Sequence, residues 1–172
     1  RGHSKRVREY AVRTAVLLGY TGEFLDDIRL GAELHDIGKI GTRESVLNKP
    51  GPLTPDEFRH ITEHTVLGER ILAPLARDRP VVLRIARSHH ERLDGTGFPD
   101  GLAGEAIPVE ARIVAVVDAF DAMTTNRAYR ESFVPISAFD ELRRCAGRQF
   151  EPRIVDAFCT AFPDPARLPI HA

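Results

Sequence analysis

The sequence predicts an all-α bundle, and three observations favour this fold class. Apolar residues recur at helical spacing through most of the chain, and Gly or Pro residues separate these segments. One segment opens with a complete helix-start pattern, and no internal repeat or low-complexity stretch interrupts the series. At 172 residues, the chain has the length of one domain with a sizeable core. We therefore expect a single domain over residues 1–172.

The first two predicted helices cover residues 3–18 and 23–37. Gly19 ends the first helix, and Gly38 is expected to break the second. Residues 40–53 follow as an irregular segment that contains several Gly and Pro residues. A long irregular segment in a compact domain is often functional, so we expect this one to border the substrate.

The clearest helix start in the chain is at Thr54. Its side chain can cap the helix, Pro55 takes the first helical position, and Glu57 completes a capping box. The apolar spacing then continues, so this helix is expected to end at Leu72 or Leu75.

Four further helices are predicted in the second half of the chain. The first covers residues 80–91. The second covers residues 108–124 and is apolar almost all round, so we expect it to lie at the centre of the bundle. Ser137 can cap a third helix that runs through Arg144, and the last helix covers residues 151–162.

Composition and charge restrict the class of partner. The net charge is −1, with 42% apolar and 28% charged residues, so no overall field attracts nucleic acid or an anionic membrane. No apolar run approaches the roughly 18 residues that a membrane-spanning helix needs. Cys145 and Cys159 lack zinc-site spacing and are expected to be reduced thiols in the cytosol. We therefore expect a cytoplasmic domain that contacts neither membrane, DNA nor RNA directly.

The adjacent pair His35 and Asp36, flanked by Leu34 and Ile37, is the most informative stretch. The apolar flanks indicate burial, and a buried carboxylate beside a buried imidazole needs a partner or a metal. Taken alone, the pair is more typical of a solvated helix end. Five further imidazole or carboxylate groups favour metal binding. They are His3, His64, His89, His90 and Asp118.

These seven candidate ligands are too many for one four-coordinate structural zinc. They suit two or more metal ions that share a bridging carboxylate, and Asp36 is the candidate bridge because it adjoins a histidine ligand. Single members of the set have ordinary interpretations as well. A histidine as close to a terminus as His3 is usually exposed, and His60 lies one turn before His64 at a spacing that could bind a metal by itself.

Taken in order along the chain, these residues resemble the HD-GYP domain. That family is a subset of the HD metal-dependent phosphohydrolases, and its members are bacterial phosphodiesterases that hydrolyse cyclic di-GMP. The resemblance runs from His3 to about Phe162, which is nearly the whole chain. It is carried by residues 35–39 (His-Asp-Ile-Gly-Lys), His64, residues 89–99 (His-His-Glu-Arg-Leu-Asp-Gly-Thr-Gly-Phe-Pro) and Asp118.

The resemblance implies an HD-domain helical bundle with a metal cluster between its helices. The implied metal ligands are His3, His35, Asp36, His64, His89, His90 and Asp118. Some family members bind a third metal through a glutamate one turn before the first histidine, a position that precedes Arg1, so either two or three divalent ions are expected. Mixed imidazole and carboxylate ligands suit iron or manganese, and zinc and nickel stay open.

The resemblance also implies which groups contact the substrate. Lys39 would favour negative charge that develops at the scissile phosphate, although a lysine at a helix end usually only interacts with the helix dipole. Gly97 and Phe98 stand in the loop where the family has its Gly-Tyr-Pro signature. The phenyl ring of Phe98 keeps the face that can stack on a guanine, but it lacks the hydroxyl of the family tyrosine.

Three polar residues near the end of the central helix complete the implied site. Asp121 is expected either to orient a histidine ligand or to bond a substrate base. Arg127 and Arg130 would grip phosphate through their guanidinium groups, although two arginines at such a place are by default a solvated helix end.

The implied reaction is hydrolysis of cyclic di-GMP to linear pGpG or to GMP. With Asp36 and Lys39 as the catalytic residues, the metals would lower the pKa of a bridging water, and the hydroxide would attack phosphorus in line. The other expected partners are an upstream sensory or receiver domain and a second copy in a homodimer.

Three other hypotheses about the function are compatible with the sequence. One is an HD phosphohydrolase that acts on another nucleotide. Another is a weakly catalytic module that binds cyclic di-GMP or a protein. An oxygen-activating di-iron HD enzyme is a more distant third.

Overall fold

The computed structural model describes residues 2–125 and 134–163 of the chain. This part contains eight α-helices and no β-strand, which confirms the predicted fold class. The helices are α1 (His3–Leu17), α2 (Glu23–Leu34), α3 (Glu44–Leu47), α4 (Pro55–Leu72), α5 (Pro80–Ser88), α6 (Val109–Thr124), α7 (Pro135–Cys145) and α8 (Pro152–Ala161). Two 3-10 turns lie at Ile37–Gly41 and Gly104–Ala106. None of the helices described here is long and apolar enough to cross a membrane.

Helix α6 lies at the centre of the bundle, as its apolar composition predicts. It packs against α1, α5, α7 and α8, and α1 packs in turn against α2. Its side chains Ile113, Val117 and Phe120 are fully buried, and the rings of Tyr10 and Phe158 pack against Phe120. Burial of such large apolar groups is the main source of stability in a bundle of this size. The core therefore fixes the position of α6 relative to α1.

The start of α4 agrees with the prediction. The side-chain oxygen of Thr54 accepts a hydrogen bond from the backbone N–H of Glu57 at 3.3 Å, and the Glu57 carboxylate accepts one from the Thr54 N–H at 2.7 Å. Pro55 is the first helical residue, and the helix ends at Leu72, the nearer of the two predicted ends. This capping box fixes where α4 begins, and hence which of its side chains face the interior.

The chain leaves α2 differently from the prediction. The helix ends at Leu34 rather than at residue 37, and the 3-10 turn Ile37–Gly41 follows. Gly38 does not adopt the positive φ of a helix-ending glycine. Its role is close approach, since a Cβ at Gly38 would lie 1.9 Å from the backbone carbonyl oxygen of His64 in α4. The turn can lie directly against α4 only because this position has no side chain.

Two other predicted boundaries are wrong in detail. The segment expected to be irregular contains the short helix α3, which packs against α4 and buries Val46. Helix α7 begins at Pro135, whose fixed φ suits a first helical position, so Ser137 is not its cap. The Ser137 N–H instead donates to the carbonyl of Val134 at 2.9 Å.

Candidate metal centre

The fold brings seven imidazole and carboxylate side chains together from five helices or their ends. They form two adjacent groups, and within each group the ligand atoms lie within 4.8 Å of one another. The first group is Asp36, His64, His89 and His90, and the second group is His3, His35 and Asp118. All seven are the ligands that the sequence predicts. Residues as distant in sequence as His3 and Asp118 meet here because α1 packs against α6.

Asp36 lies between the two groups. Its Oδ1 atom is 3.5 Å from His64 Nε2 in the first group. Its Oδ2 atom is 3.5 Å from His35 Nε2 and 3.8 Å from His3 Nε2 in the second group. Lys39 Nζ donates to the same Oδ2 atom at 2.5 Å. One carboxylate thus faces both groups, which is the geometry a bridging ligand needs.

The second group closes around Asp118. Its Oδ1 atom lies 3.4 Å from His3 Nε2 and 3.7 Å from His35 Nε2. Asp118 lies in α6, whose neighbouring residues Val117 and Val116 are fully buried. A largely buried carboxylate needs compensation, and the two imidazoles together with a bound cation would supply it.

Backbone carbonyls fix the orientation of three of the histidines. The Nδ1 atoms of His35, His64 and His89 lie 2.8, 2.5 and 3.0 Å from the carbonyl oxygens of Ala32, Ile61 and Ile85, respectively. A ring nitrogen that donates to a carbonyl carries the proton, which leaves Nε2 as the lone-pair nitrogen. In the neutral form of each ring, the Nε2 atom therefore faces the group as a ligand rather than as a donor.

Charge and burial also fit the binding of metal ions. His35 Nε2 and Asp36 Oδ1 are buried atoms without a hydrogen-bond partner within the described ranges. Burial lowers the pKa of His64 to about 4, and burial also holds the pKa of His90 well below its usual value. Burial opposes the ionisation of Asp36, but the nearby His89, His35 and Lys39 hold its pKa well below the usual range. Neutral imidazoles and ionised carboxylates are the forms that bind metal ions.

Asp121 contacts a histidine of the second group, which is the contact that the first of its two predicted roles requires. It is buried one turn after Asp118, and its Oδ2 atom lies 2.8 Å from His3 Nδ1. Arg6 holds the same carboxylate through Nε to Oδ1 at 2.5 Å and Nη2 to Oδ2 at 2.8 Å. Burial would raise the pKa of Asp121, but the contacts with His3 and Arg6 keep it below its usual value. Asp121 and Arg6 therefore orient the His3 imidazole.

Arg6 is a residue that the sequence reasoning did not single out. The signal for it is paired spacing, because His3 and Arg6 are three residues apart on α1 while Asp118 and Asp121 are three residues apart on α6. Two pairs at this spacing on packed helices place one ligand and one supporting residue from each helix at the same level.

An Arg6→Leu substitution is expected to weaken metal binding by the second group about ten- to hundredfold, the usual effect of losing a residue that orients a ligand. The physical reason is that the buried Asp121 carboxylate loses its charged partner and no longer fixes the His3 ring. Metal titration of the purified protein measures the change. Arg8→Leu is the matched control, since Arg8 also lies on α1 but pairs with Glu33. Equal metal affinity in Arg6→Leu and the wild type would contradict this role.

The glycine-rich loop, residues 94–104, lies against the first group. The backbone N–H of Phe98 donates to the His90 carbonyl at 3.3 Å, and the two rings are 4.8 Å apart at an angle of 33°. Gly97 has no room for a side chain, because a Cβ there would lie 2.5 Å from the Arg92 backbone nitrogen. A cavity of about 290 Å³ opens between this loop and α6, and it is lined by His89, His90, Glu91, Arg92, Phe98, Ala115, Asp118, Ala119, Gln149 and Phe150.

Glu91 holds this loop in place and was also missed by the sequence reasoning. Its side chain is buried, and its two carboxylate oxygens accept the backbone N–H groups of Asp100 at 2.8 Å and Leu102 at 3.0 Å. The signal for it was its position directly after the histidine pair and before the glycines. By tying the loop to the end of α5, Glu91 fixes Phe98 over His90.

The remaining predicted residues lie elsewhere. His60 belongs to neither group, and its Nε2 atom accepts the backbone N–H of Arg43 at 3.1 Å. It therefore anchors the segment before α3 to α4. Arg127 and Arg130 lie outside the described residues.

Comparison with known proteins agrees with this geometry. The profile of a family described as HD domain matches residues 1–154. The chain is 46% identical over 154 residues to the cyclic di-GMP phosphodiesterase response regulator RpfG of Xanthomonas campestris pv. campestris, covering 89% of this chain and 41% of that protein. It is 37% identical over 155 residues to the 3'3'-cGAMP-specific phosphodiesterase 2 of Vibrio cholerae, covering 90% of this chain and 30% of that protein. The chain thus spans less than half the length of these relatives.

A solved structure supports the fold independently. The crystal structure of a cyclic GMP-AMP specific phosphodiesterase of V. cholerae matches with a TM-score of 0.74 at 21% identity, over 95% of this chain and 44% of that one. A likeness at this identity concerns the fold alone, whereas the family profile covers most of the sequence. The chain therefore belongs to the HD domain family and is a homologue of the HD-GYP cyclic di-GMP phosphodiesterases.

Proposed function

We propose that this domain hydrolyses the phosphodiester bonds of cyclic di-GMP in a metal-dependent reaction. The observation that carries the proposal is the pair of ligand groups joined by Asp36, with Lys39 and Phe98 beside them. Divalent ions bound by these groups would supply Lewis acidity and lower the pKa of a bound water. Iron or manganese suits the donor set best, and zinc and nickel are the alternatives.

The side chains around the groups would position the substrate and balance its charge. Lys39, about a third exposed and 2.5 Å from Asp36, would place its ammonium group near the scissile phosphate and favour charge that develops there. Phe98 would stack on a guanine from the wall of the cavity. Arg127 and Arg130 would bind phosphate oxygens, a role that suits the planar guanidinium.

The identity of the cyclic dinucleotide is the finer part of the proposal. One relative carries cyclic di-GMP in its name and another carries 3'3'-cGAMP, and both chemistries share two phosphodiester bonds and at least one guanine. We favour cyclic di-GMP because the more similar of these two relatives is named for it. Linear pGpG and GMP are the candidate products.

A turnover assay on metal-reconstituted protein tests this function directly. The domain is loaded anaerobically with iron or manganese and incubated separately with cyclic di-GMP, 3'3'-cGAMP and other nucleotides, and products are separated by chromatography. We expect cyclic di-GMP to give pGpG or GMP. We expect no product after the metal is removed with a chelator. Faster turnover of 3'3'-cGAMP would favour that substrate instead. Binding of cyclic di-GMP without product, at confirmed metal occupancy, would favour a binding module.

A Phe98→Ala substitution is expected to raise the KM for cyclic di-GMP about tenfold, because stacking of a base on an aromatic ring is worth about 1–3 kcal/mol. The kcat should change less, since Phe98 is not one of the ligands. Steady-state kinetics on Phe98→Ala and on the wild type measure the changes in KM and kcat separately. Phe98→Tyr keeps the ring and should keep KM near the wild-type value. An unchanged KM in Phe98→Ala would argue against stacking.

The regulatory context is a further part of the proposal. The relative from Xanthomonas campestris is named as a response regulator, and this chain covers 41% of its length. We infer that the domain works under the control of an upstream receiver or sensory domain, and that pairing of two copies can accompany this control.

A further inference from the structure

A second cleft opens beside the cavity of the metal centre. It has a volume of about 220 Å³ and lies between Arg92, just before the glycine-rich loop, and the end of α7 with the turn that follows it. We call it the arginine cleft, and it is lined by Arg92, Glu141, Arg144, Cys145, Arg148 and Gln149. Arg92 and Gln149 also line the cavity that contains His89 and His90. The two spaces therefore adjoin each other.

The three arginines of the arginine cleft differ in their partners. Arg144 forms an ion pair with Glu141 at 2.6 Å, and Arg92 forms one with Asp94 at 3.1 Å. Arg148 is exposed, and within residues 2–125 and 134–163 its side chain makes no ion pair or hydrogen bond. The cleft thus presents a positive charge at Arg148 that no acidic side chain of the described part neutralises.

The backbone holds Arg148 in a fixed relation to the metal centre. The Asp94 N–H donates to the Arg148 carbonyl at 2.9 Å, and the Leu93 N–H donates to the Gln149 carbonyl at 3.3 Å. These bonds tie the α7–α8 turn to the same loop that places Phe98 over His90. The Arg148 backbone is therefore held beside the metal centre, and its long exposed side chain can reach into the adjoining space.

We propose that the arginine cleft binds the second phosphate of the cyclic dinucleotide, the one that is not being cleaved, through Arg148. This inference rests on the proposed function. The two phosphates stand on opposite sides of the ring of a cyclic dinucleotide. When one lies at the metal ligands, the other points away from them into the adjoining space. A guanidinium without a partner suits that phosphate, because its N–H groups match two phosphate oxygens.

Kinetic and binding measurements on Arg148→Ala, with three compounds, test this assignment. We expect the KM for cyclic di-GMP and the Kd for cyclic di-AMP to rise by a similar factor of about tenfold, with the kcat for cyclic di-GMP nearly unchanged, because both compounds carry the second phosphate. Cleavage of bis(p-nitrophenyl) phosphate, which has a single phosphate, should be unaffected. Equilibrium binding of cyclic di-GMP to metal-free protein should weaken in parallel and lose part of its salt dependence.

A matched control separates the cleft from general surface charge. Arg143→Ala removes an exposed guanidinium from the same helix as Arg144, but Arg143 pairs with Asp140 and does not line the cleft. This variant should keep the wild-type KM for cyclic di-GMP, the wild-type Kd for cyclic di-AMP and the wild-type rate of bis(p-nitrophenyl) phosphate cleavage. Arg148→Glu should raise the KM further than Arg148→Ala does.

Each contrary outcome has a distinct meaning. An unchanged KM for cyclic di-GMP in Arg148→Ala, in protein that turns this substrate over, overturns the cleft assignment and leaves the proposed function intact. An increase confined to cyclic di-GMP also overturns it, since a contact to guanine rather than phosphate would then be responsible. If the wild-type protein cleaves bis(p-nitrophenyl) phosphate but not cyclic di-GMP, the proposed function fails, while binding of cyclic di-AMP still reports on the cleft.

Discussion

Replacing Asp36 with alanine is expected to abolish phosphodiester hydrolysis and to reduce the metal content of both ligand groups. Asp36 faces His64 through Oδ1 and His35 through Oδ2, so its loss removes the carboxylate oxygen that each group faces. Metal-ion catalysis contributes several kcal/mol to the transition state, so a fall of at least about a thousandfold in turnover is expected. His35→Ala should behave in the same direction. Metal analysis and product chromatography on the same samples measure both effects.

The control for Asp36→Ala lies on α4. His60→Ala removes an imidazole one turn from His64, but His60 belongs to neither group and contacts the backbone of Arg43. It should retain metal and activity. Full activity in the Asp36→Ala protein would contradict the assignment of the whole site. Loss of activity with unchanged metal content would show that Asp36 acts in the reaction but is not needed to bind metal.

Gly38→Ala is expected to destabilise the fold and disorder the metal centre at the same time. The added methyl group would lie 1.9 Å from the His64 carbonyl oxygen and 2.6 Å from the Gly68 nitrogen, both backbone atoms that cannot rotate away. Forcing extra volume into such a contact usually costs about 1–3 kcal/mol and sometimes more. In a domain of this size, 3 kcal/mol lowers the Tm by roughly 6–12 °C. Thermal unfolding of the metal-free protein measures the effect without the contribution of bound ions.

The opposite side of the same contact offers the matched control. Gly68 lies in α4, and a Cβ there would meet its nearest neighbour, the Gly38 nitrogen, at 3.4 Å, an ordinary contact distance. Because alanine favours a helix over glycine by about 1 kcal/mol, Gly68→Ala should be neutral or stabilising. If Gly38→Ala unfolds at the wild-type temperature, the turn after α2 does not need its close approach to α4.

The two groups of candidate ligands could be predicted from the sequence because metal chemistry restricts residue type. Few side chains bind divalent ions, so His35, Asp36 and the histidine pair are conspicuous even without a fold. Helix α4 was predictable for a similar reason, since Thr54 and Glu57 carry a local capping pattern that needs no tertiary contact. In both cases the information lies in the side chains themselves.

The remaining features depend on contacts between distant segments. Gly38 looks like a helix-ending glycine until the backbone of α4 is placed beside it. Arg6 looks like a surface arginine until α6 brings Asp121 against it, and Glu91 becomes a loop anchor only when residues 100–102 fold back over it. The arginine cleft likewise exists only because the loop and the α7–α8 turn share backbone hydrogen bonds. Local patterns carry no record of such pairings.

The spread of the ligands along the chain has a consequence for how the domain folds. His3 and Asp118 stand at opposite ends of a long stretch of sequence, yet they belong to one group. An ion that binds both acts as a reversible cross-link across that stretch, which the unfolded chain cannot match. Metal supply would then shift the folding equilibrium of the domain as well as support the proposed hydrolysis.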